Sequence, residues 1–157
     1  MKMLRAPIAH RLMLKSKIHR ATLTGKALDY EGSIALDRRL MDAADLLPGE
    51  QVHVLNVNTG ARLVTYVIES PAAAGTVMLN GPAARQGEVG DLLIIIAYGY
   101  CPDADARQLR PRIVHVDEWN APVTRPDAPV PVAQAGTQRG VPSGSNEPGG
   151  SAGEARI

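Results

Sequence analysis

The chain contains three Gly-Ser dipeptides, Gly32-Ser33, Gly144-Ser145 and Gly150-Ser151, and only the first lies outside a low-complexity stretch. There the Ser33 hydroxyl can attack the carbonyl of Gly32 if the backbone is held in a strained shape. Gly32 permits such a shape and puts no Cβ in the path of attack. The acyl group would pass from nitrogen to oxygen, making an ester. β-Elimination would then leave dehydroalanine, and hydrolysis a pyruvoyl group at a new N-terminus. A bare Gly-Ser more often reads as a turn glycine followed by a strand residue, so its surroundings decide.

Those surroundings are short β-type runs separated by turn signals. Arg20 to Thr24 is an expected strand, and Ser33 to Leu36 a second, entered from the polar turn at Tyr30-Glu31-Gly32. Asp37 can cap a helix in which Leu40, Met41, Ala44 and Leu47 recur at helical spacing, ending at Pro48-Gly49. Gln51 to Val57 and Ala61 to Glu69 flank Asn58-Thr59-Gly60, a hairpin with Gly60 at the position needing positive φ. Thr76 to Leu79, Asp91 to Tyr98 and Arg112 to Val116 are further strands, while Asp103, Asp105 and Arg107 read as a surface turn. So many short strands must remove their edges, which predicts a mainly β domain built as a small closed six-stranded barrel with one short helix.

Composition bounds the function. Of 157 residues, 45% are hydrophobic, Phe is absent and there is one Trp, so a core would be packed from Val, Ile, Leu, Ala and Met. The formal charge of +1 gives no field that would draw nucleic acid or a membrane. Cys101 is the sole cysteine, and with His53 and His115 it matches no metal-site spacing, so no metal is expected. Pro7, His10 and Arg11 break the N-terminal apolar run, no stretch approaches a membrane span, and the cytoplasm is the expected compartment. Residues 1–12 read as an extension, with Met1, Met3 and Met13 as alternative starts, and 13–120 as the folded domain. Residues 121–157, rich in Pro and Gly, read as a disordered tail.

The strings MLKSKIHRATLT (Met13 to Thr24), LDYEGSIALD (Leu28 to Asp37), LMDAADLLPGEQV (Leu40 to Val52), NTGARLVTY (Asn58 to Tyr66), LNGPAA (Leu79 to Ala84), GDLLIIIAY (Gly90 to Tyr98) and PRIVHVD (Pro111 to Asp117) follow one another in the order found in bacterial aspartate 1-decarboxylases. The chain resembles that family over about residues 13–120. The resemblance implies a double-psi β-barrel and a homotetramer with active sites between subunits. It also implies decarboxylation of L-aspartate to β-alanine and CO2, for pantothenate and coenzyme A synthesis. The cofactor would be a covalently bound pyruvoyl group derived from Ser33 after cleavage at Gly32-Ser33, forming an imine with the substrate amine. A helper protein for maturation is left open as a partner.

By the same resemblance, Tyr66 donates a proton to the carbanion, and Thr65 bonds the Gly32 carbonyl during cleavage and later contacts substrate. Arg62 clamps a carboxylate, and Lys17 and His19 form a basic pair at the edge of the site. Asn80, Gly81, Pro82 and Ala83 form a loop around the pyruvoyl and substrate oxygens. The sequence departs from the usual NGAAAH pattern: Pro82 has no N–H to donate, Arg85 replaces the common His, and Leu55 stands where some relatives carry an aromatic ring.

Two other readings belong beside this one. A non-enzymatic barrel, such as a dimeric DNA-binding regulator with its basic N-terminal arm on phosphates, predicts an intact chain and salt-dependent DNA binding. A homologue that processes poorly because of Pro82 would serve as a scaffold or regulatory subunit.

Overall fold

In the computed structural model, which describes residues 8–70 and 75–123, the longest strand is β1, His10–Thr22. The expected strand, Arg20 to Thr24, overlaps only its last three residues, and the reason is a change of phase. Ser16 and Ile18 are buried before the change and Ala21 and Leu23 continue the buried face after it, so the alternation slips by one residue at His19-Arg20. Arg20 takes φ +62° there, and the antiparallel register to the partner strand jumps between Ile18 and Ala21. This is a β-bulge, which bends the strand and hides its period. Because β1 begins at His10, part of the expected extension belongs to the sheet.

The remaining elements are β2 (Gly25–Ala27), β3 (Ser33–Leu36), α1 (Arg38–Ala44), β4 (Gln51–Asn56), β5 (Arg62–Glu69), β6 (Val77–Asn80), a 3-10 turn (Gly81–Gln86), β7 (Leu92–Pro102), α2 (Asp103–Ala106), β8 (Arg112–Val116) and β9 (Pro122–Val123). The short α2 stands where a surface turn was expected. Gly60 has φ +78°, as the hairpin required. The expected disordered tail lies outside the described residues except at its start, where Pro122–Val123 pairs with β8.

The described residues form nine strands, against the six expected of a closed ring, in the order β2-β6-β3-β5-β4-β7-β1-β8-β9. No ladder joins β2 to β9 among the described residues. Both edge strands are very short and β9 contains Pro122, which blunts an edge without closing it. The segment between β1 and β2 nevertheless bonds in two directions. Leu23 exchanges 2.8 Å backbone bonds with Asp91 and Gly90 at the entrance to β7, and Thr24 N–H donates to the Val77 carbonyl on β6 at 2.8 Å. The core holds Ile18, Leu23, Ile34, Leu36, Leu40, Met41, Val52, Val54, Val67, Leu79, Leu93 and Ile95, all fully buried. Aliphatic residues and Met fill it, as the absence of Phe required.

Helix α1 ends earlier than its apolar spacing suggested. Asp45 adopts the left-handed conformation at φ 53°, and the Leu46 N–H turns back to the Met41 carbonyl at 2.9 Å, leaving Leu47 exposed. At the other end, Asp37 caps α1 through the Arg39 N–H at 2.8 Å and also accepts from the Arg39 guanidinium and the Gly75 N–H. Asn120, 1% exposed, completes this clasp. Its amide donates to the carbonyls of Gly75 and Thr22, and its side-chain oxygen accepts the Thr22 N–H, each at 2.8 Å.

Burial alone would raise the Asp37 carboxyl, but the Arg39 side chain, the Gly75 and Arg39 N–H groups and the Arg39 charge outweigh it and hold the group below its ordinary value. A carboxyl depressed by folding adds stability that is fully present above its unfolded pKa and is lost as pH falls through the folded one. Unfolding midpoints measured from pH 7 down to pH 3 will therefore fall more steeply for the parent than for Asp37→Asn. Asn120→Ala, which removes the side-chain partner of three backbone groups, one of them buried and two part-buried, will cost about 2 kcal/mol in chemical unfolding at fixed protein concentration.

Candidate active site

Ser33 opens β3 and is fully buried. The antiparallel ladder between β3 and β6 sets it directly opposite Asn80. Its hydroxyl donates to the Glu31 carbonyl at 3.1 Å and accepts from the Asn80 side-chain amide at 3.1 Å. On the other flank β5 runs parallel to β3, with Ile34 beside Val67, which brings Thr65 and Tyr66 to the Ser33 end. The Gly81–Gln86 turn leaves β6 right after Asn80 and lays Pro82 and Ala83 over the same place.

A cavity of about 410 Å³ lies here, lined by Gly32, Leu63, Val64, Thr65, Tyr66, Pro82, Ala83 and Gln86. Tyr66 is 38% exposed and Ala83 8%, so the phenol can meet a molecule that enters while the floor stays packed. The lining is largely apolar, which strengthens any polar contact made inside it. Pro82 is the second residue of the turn, still within its first turn, where a missing N–H leaves no helical bond unmade.

Gly32, Ser33, Thr65, Tyr66, Asn80, Gly81, Pro82 and Ala83 are thus brought together. Thr65 shares the wall with Gly32 without a hydrogen bond to its carbonyl. Arg62 begins β5 opposite Leu55, exposed and with no ion-pair partner among the described residues, and does not line the cavity. Lys17 and His19 are not gathered at all within one chain. They lie on β1, separated from β5 by β7 and β4, which at the usual strand spacing is roughly 14 Å. The His19 ring meets His115 edge-on at 5.6 Å, and its Nδ1 is buried without a partner. Burial first, then Lys17, His115 and Arg20, hold its pKa below the ordinary 6.5.

Sequence reading passed over three contributors. Gln86 lines the cavity because the 3-10 turn carries it back towards β5, and nothing in its type announces that. The Glu31 carbonyl and the His115 ring act through position alone. Among the described residues no three of His, Cys, Asp and Glu come together as a metal set. His53 instead stacks edge-on with Tyr98 at 5.1 Å. No helix among them is long and apolar enough to cross a membrane.

Comparison with known proteins agrees with this geometry. The family described as Aspartate decarboxylase matches residues 9–123, the span from just before β1 to the end of β9. The chain is 57% identical over 108 residues to the aspartate 1-decarboxylase of Dehalococcoides mccartyi, covering 69% of this chain and 87% of that one. It is 51% identical over 113 residues to the enzyme of the same name from Thermoanaerobacter pseudethanolicus, covering 72% and 97%. Aspartate 1-decarboxylase 1 of Gloeobacter violaceus is 54% identical over 110 residues, with 70% and 93% covered. Identity of this order, over nearly the full length of those proteins and including the strands that meet at Ser33, means that the chain belongs to the aspartate decarboxylase family.

Proposed function

We propose that this chain is the precursor of an enzyme that decarboxylates L-aspartate to β-alanine and CO2, using a pyruvoyl group that it makes from Ser33. The observation that carries the reading is a buried serine after a glycine, bonded by Asn80 and beside a cavity that Tyr66 enters. Members of the family with this chain's degree of likeness bear the name of that reaction. β-Alanine made this way would feed pantothenate and coenzyme A synthesis in the cytoplasm.

Self-cleavage uses the chain's own groups. Ser33 Oγ bonds to the Gly32 carbonyl carbon, the Gly32–Ser33 C–N bond breaks, and the freed nitrogen takes a proton. The Ser33 hydroxyl, whose proton the freed nitrogen gains in balance, already donates a hydrogen bond to the Glu31 carbonyl, and Asn80 keeps Oγ from rotating away. Loss of the Ser33 Cα proton then breaks the Cβ–Oγ bond, so Oγ leaves as part of the Gly32 carboxylate. Water enters at the Ser33 Cα and ammonia departs. The resulting group is smaller than serine and only accepts hydrogen bonds, so the sealed position beside the Asn80 amide fits it. Once in place it supplies a carbonyl that takes up the electron pair released when a carboxylate leaves as CO2.

The remaining roles belong to side chains. The Tyr66 phenol is positioned to deliver a proton into the cavity at short range. Thr65 polarises the Gly32 carbonyl after a rotation of its side chain and later meets the substrate. Gly81 and Ala83 present backbone groups to the substrate, and Pro82 shapes that wall. Arg62, a guanidinium with no carboxylate partner among the described residues, suits a two-pronged clamp on a dicarboxylic acid. Lys17 and His19 reach a site only on a neighbouring copy, which favours the homotetramer. Val64, Tyr66 and Tyr98 are exposed large residues on the strands between them, and they give such copies an apolar face. We also read the β1–β2 segment as one strand closing a six-stranded double-psi barrel, on the strength of the bonds from Leu23 to β7 and from Thr24 to β6.

Denaturing mass spectrometry of the purified protein will show two chains, one ending at Gly32 and one beginning with a blocked residue derived from Ser33. Ser33→Ala will stay intact, and a parent that stays intact after prolonged incubation, with or without cell extract, would overturn the reading. Tyr66→Phe will cut normally yet release β-alanine about a hundredfold more slowly, because it lacks only the proton delivered after CO2 departs. Release at the parent rate would assign that proton to another donor.

A further inference from the structure

We infer that Gly81 is a positioning residue for self-cleavage, because the space its side chain would fill is occupied by the scissile turn. The inference rests on the reading that the chain cuts itself between Gly32 and Ser33. Gly81 has φ +60°, and a Cβ built on it would lie 2.6 Å from the Tyr30 carbonyl oxygen and 2.8 Å from both the Cα and the nitrogen of Gly32. All three are backbone atoms, which cannot swing aside as the tip of a long side chain can. Across the turn, a Cβ on Gly32 would sit 3.4 Å from Pro82 Cδ, an ordinary contact. Residues 30–32 are therefore seated between the Gly81 backbone and the Pro82 ring.

The consequence follows from which two residues are adjacent. Asn80 holds the attacking oxygen, and Gly81, the next residue, holds the segment bearing the carbonyl to be attacked. One dipeptide thus fixes both reacting partners. To admit a methyl group at Gly81, the turn must retreat by about 1 Å, and a misplacement of that size can cost about a hundredfold in a positioned reaction. The constraint bears on making the group at Ser33, since after cleavage Gly32 is no longer tied to it.

Gly60 provides the control. It also has positive φ, +78°, but a Cβ there meets nothing within 4 Å, so Gly60→Ala carries the backbone penalty without the contact. Freshly purified parent, Gly81→Ala and Gly60→Ala are followed by intact mass over time, with the folded fraction measured by unfolding midpoint and the cleavage rate expressed per folded molecule. Gly60→Ala is expected to cut at the parent rate, and Gly81→Ala about a hundredfold more slowly. Equal rates for the two variants, or a loss in Gly81→Ala that only tracks its folded fraction, would overturn the inference. If Gly81→Ala gives no folded protein, Pro82→Gly decides, because it loosens the opposite wall. Cleavage roughly tenfold slower supports the seat, and the parent rate overturns it. A parent that never cuts at Gly32-Ser33 would overturn the self-cleavage reading itself, whereas a cutting parent matched by Gly81→Ala overturns only the role of Gly81.

Discussion

The register of β3 against β6 is the constraint on which the site depends. Ser33 faces Asn80 only while Leu36 faces Val77, since a one-residue slip would turn every side chain of a short ladder to the other face. Four residue pairs are few to hold such a register. The ladder is fixed beyond its end instead, where the Asp37 N–H bonds the Thr76 carbonyl and the Asp37 carboxylate takes the Gly75 N–H. Asn120 then ties Gly75 to Thr22. A turn near the end of the described chain thus holds the strand on which Asn80 meets Ser33.

How much of this was legible follows from which forces are local. The dipeptide at Gly32-Ser33, the hairpin glycine at Gly60 and the capping role of Asp37 are properties of a few adjacent residues, and they are where the sequence put them. Most of β1, from His10 to His19, was hidden because the burial changes phase at Arg20, and a bulge is set by the partner strand rather than by the residues that form it. Helix α1 stops at Asp45 because an aspartate accepts the left-handed conformation there, while the apolar spacing ran on to Leu47. Asn120 could not be read as more than a turn residue, since its three partners lie far away in sequence.

The site residues divide in the same way. Those on β3, β5, β6 and the turn after β6 converge because consecutive pairing of short strands places them so. Arg62 is exposed on β5, while Lys17 and His19, both half-buried, lie three strands away on β1. That division has a physical logic. An apolar cavity can be built within one domain at little cost, but cations such as Arg62 and Lys17 assembled there without an anion would repel one another and resist burial. In the proposed assembly, drawing some of them from other copies would postpone that cost until a dicarboxylic substrate could offset it.

Pro82 shows why a departure from a family pattern must be weighed in three dimensions. As a letter in the sequence it is a lost donor beside the reacting group. In the fold it is the second residue of the 3-10 turn, where its N–H would have had no helical partner, and its ring lies beside Gly32 in the cavity wall. A ring with fixed φ resists displacement better than the alanine it replaces, and the peptide it presses on has no side chain of its own to hold it. The substitution therefore exchanges one possible contact to substrate oxygen for a stiffer wall behind the bond to be cut. The two effects act at different stages, the wall before cleavage and the missing donor after it, so one residue can favour making the reactive group while weakening its use.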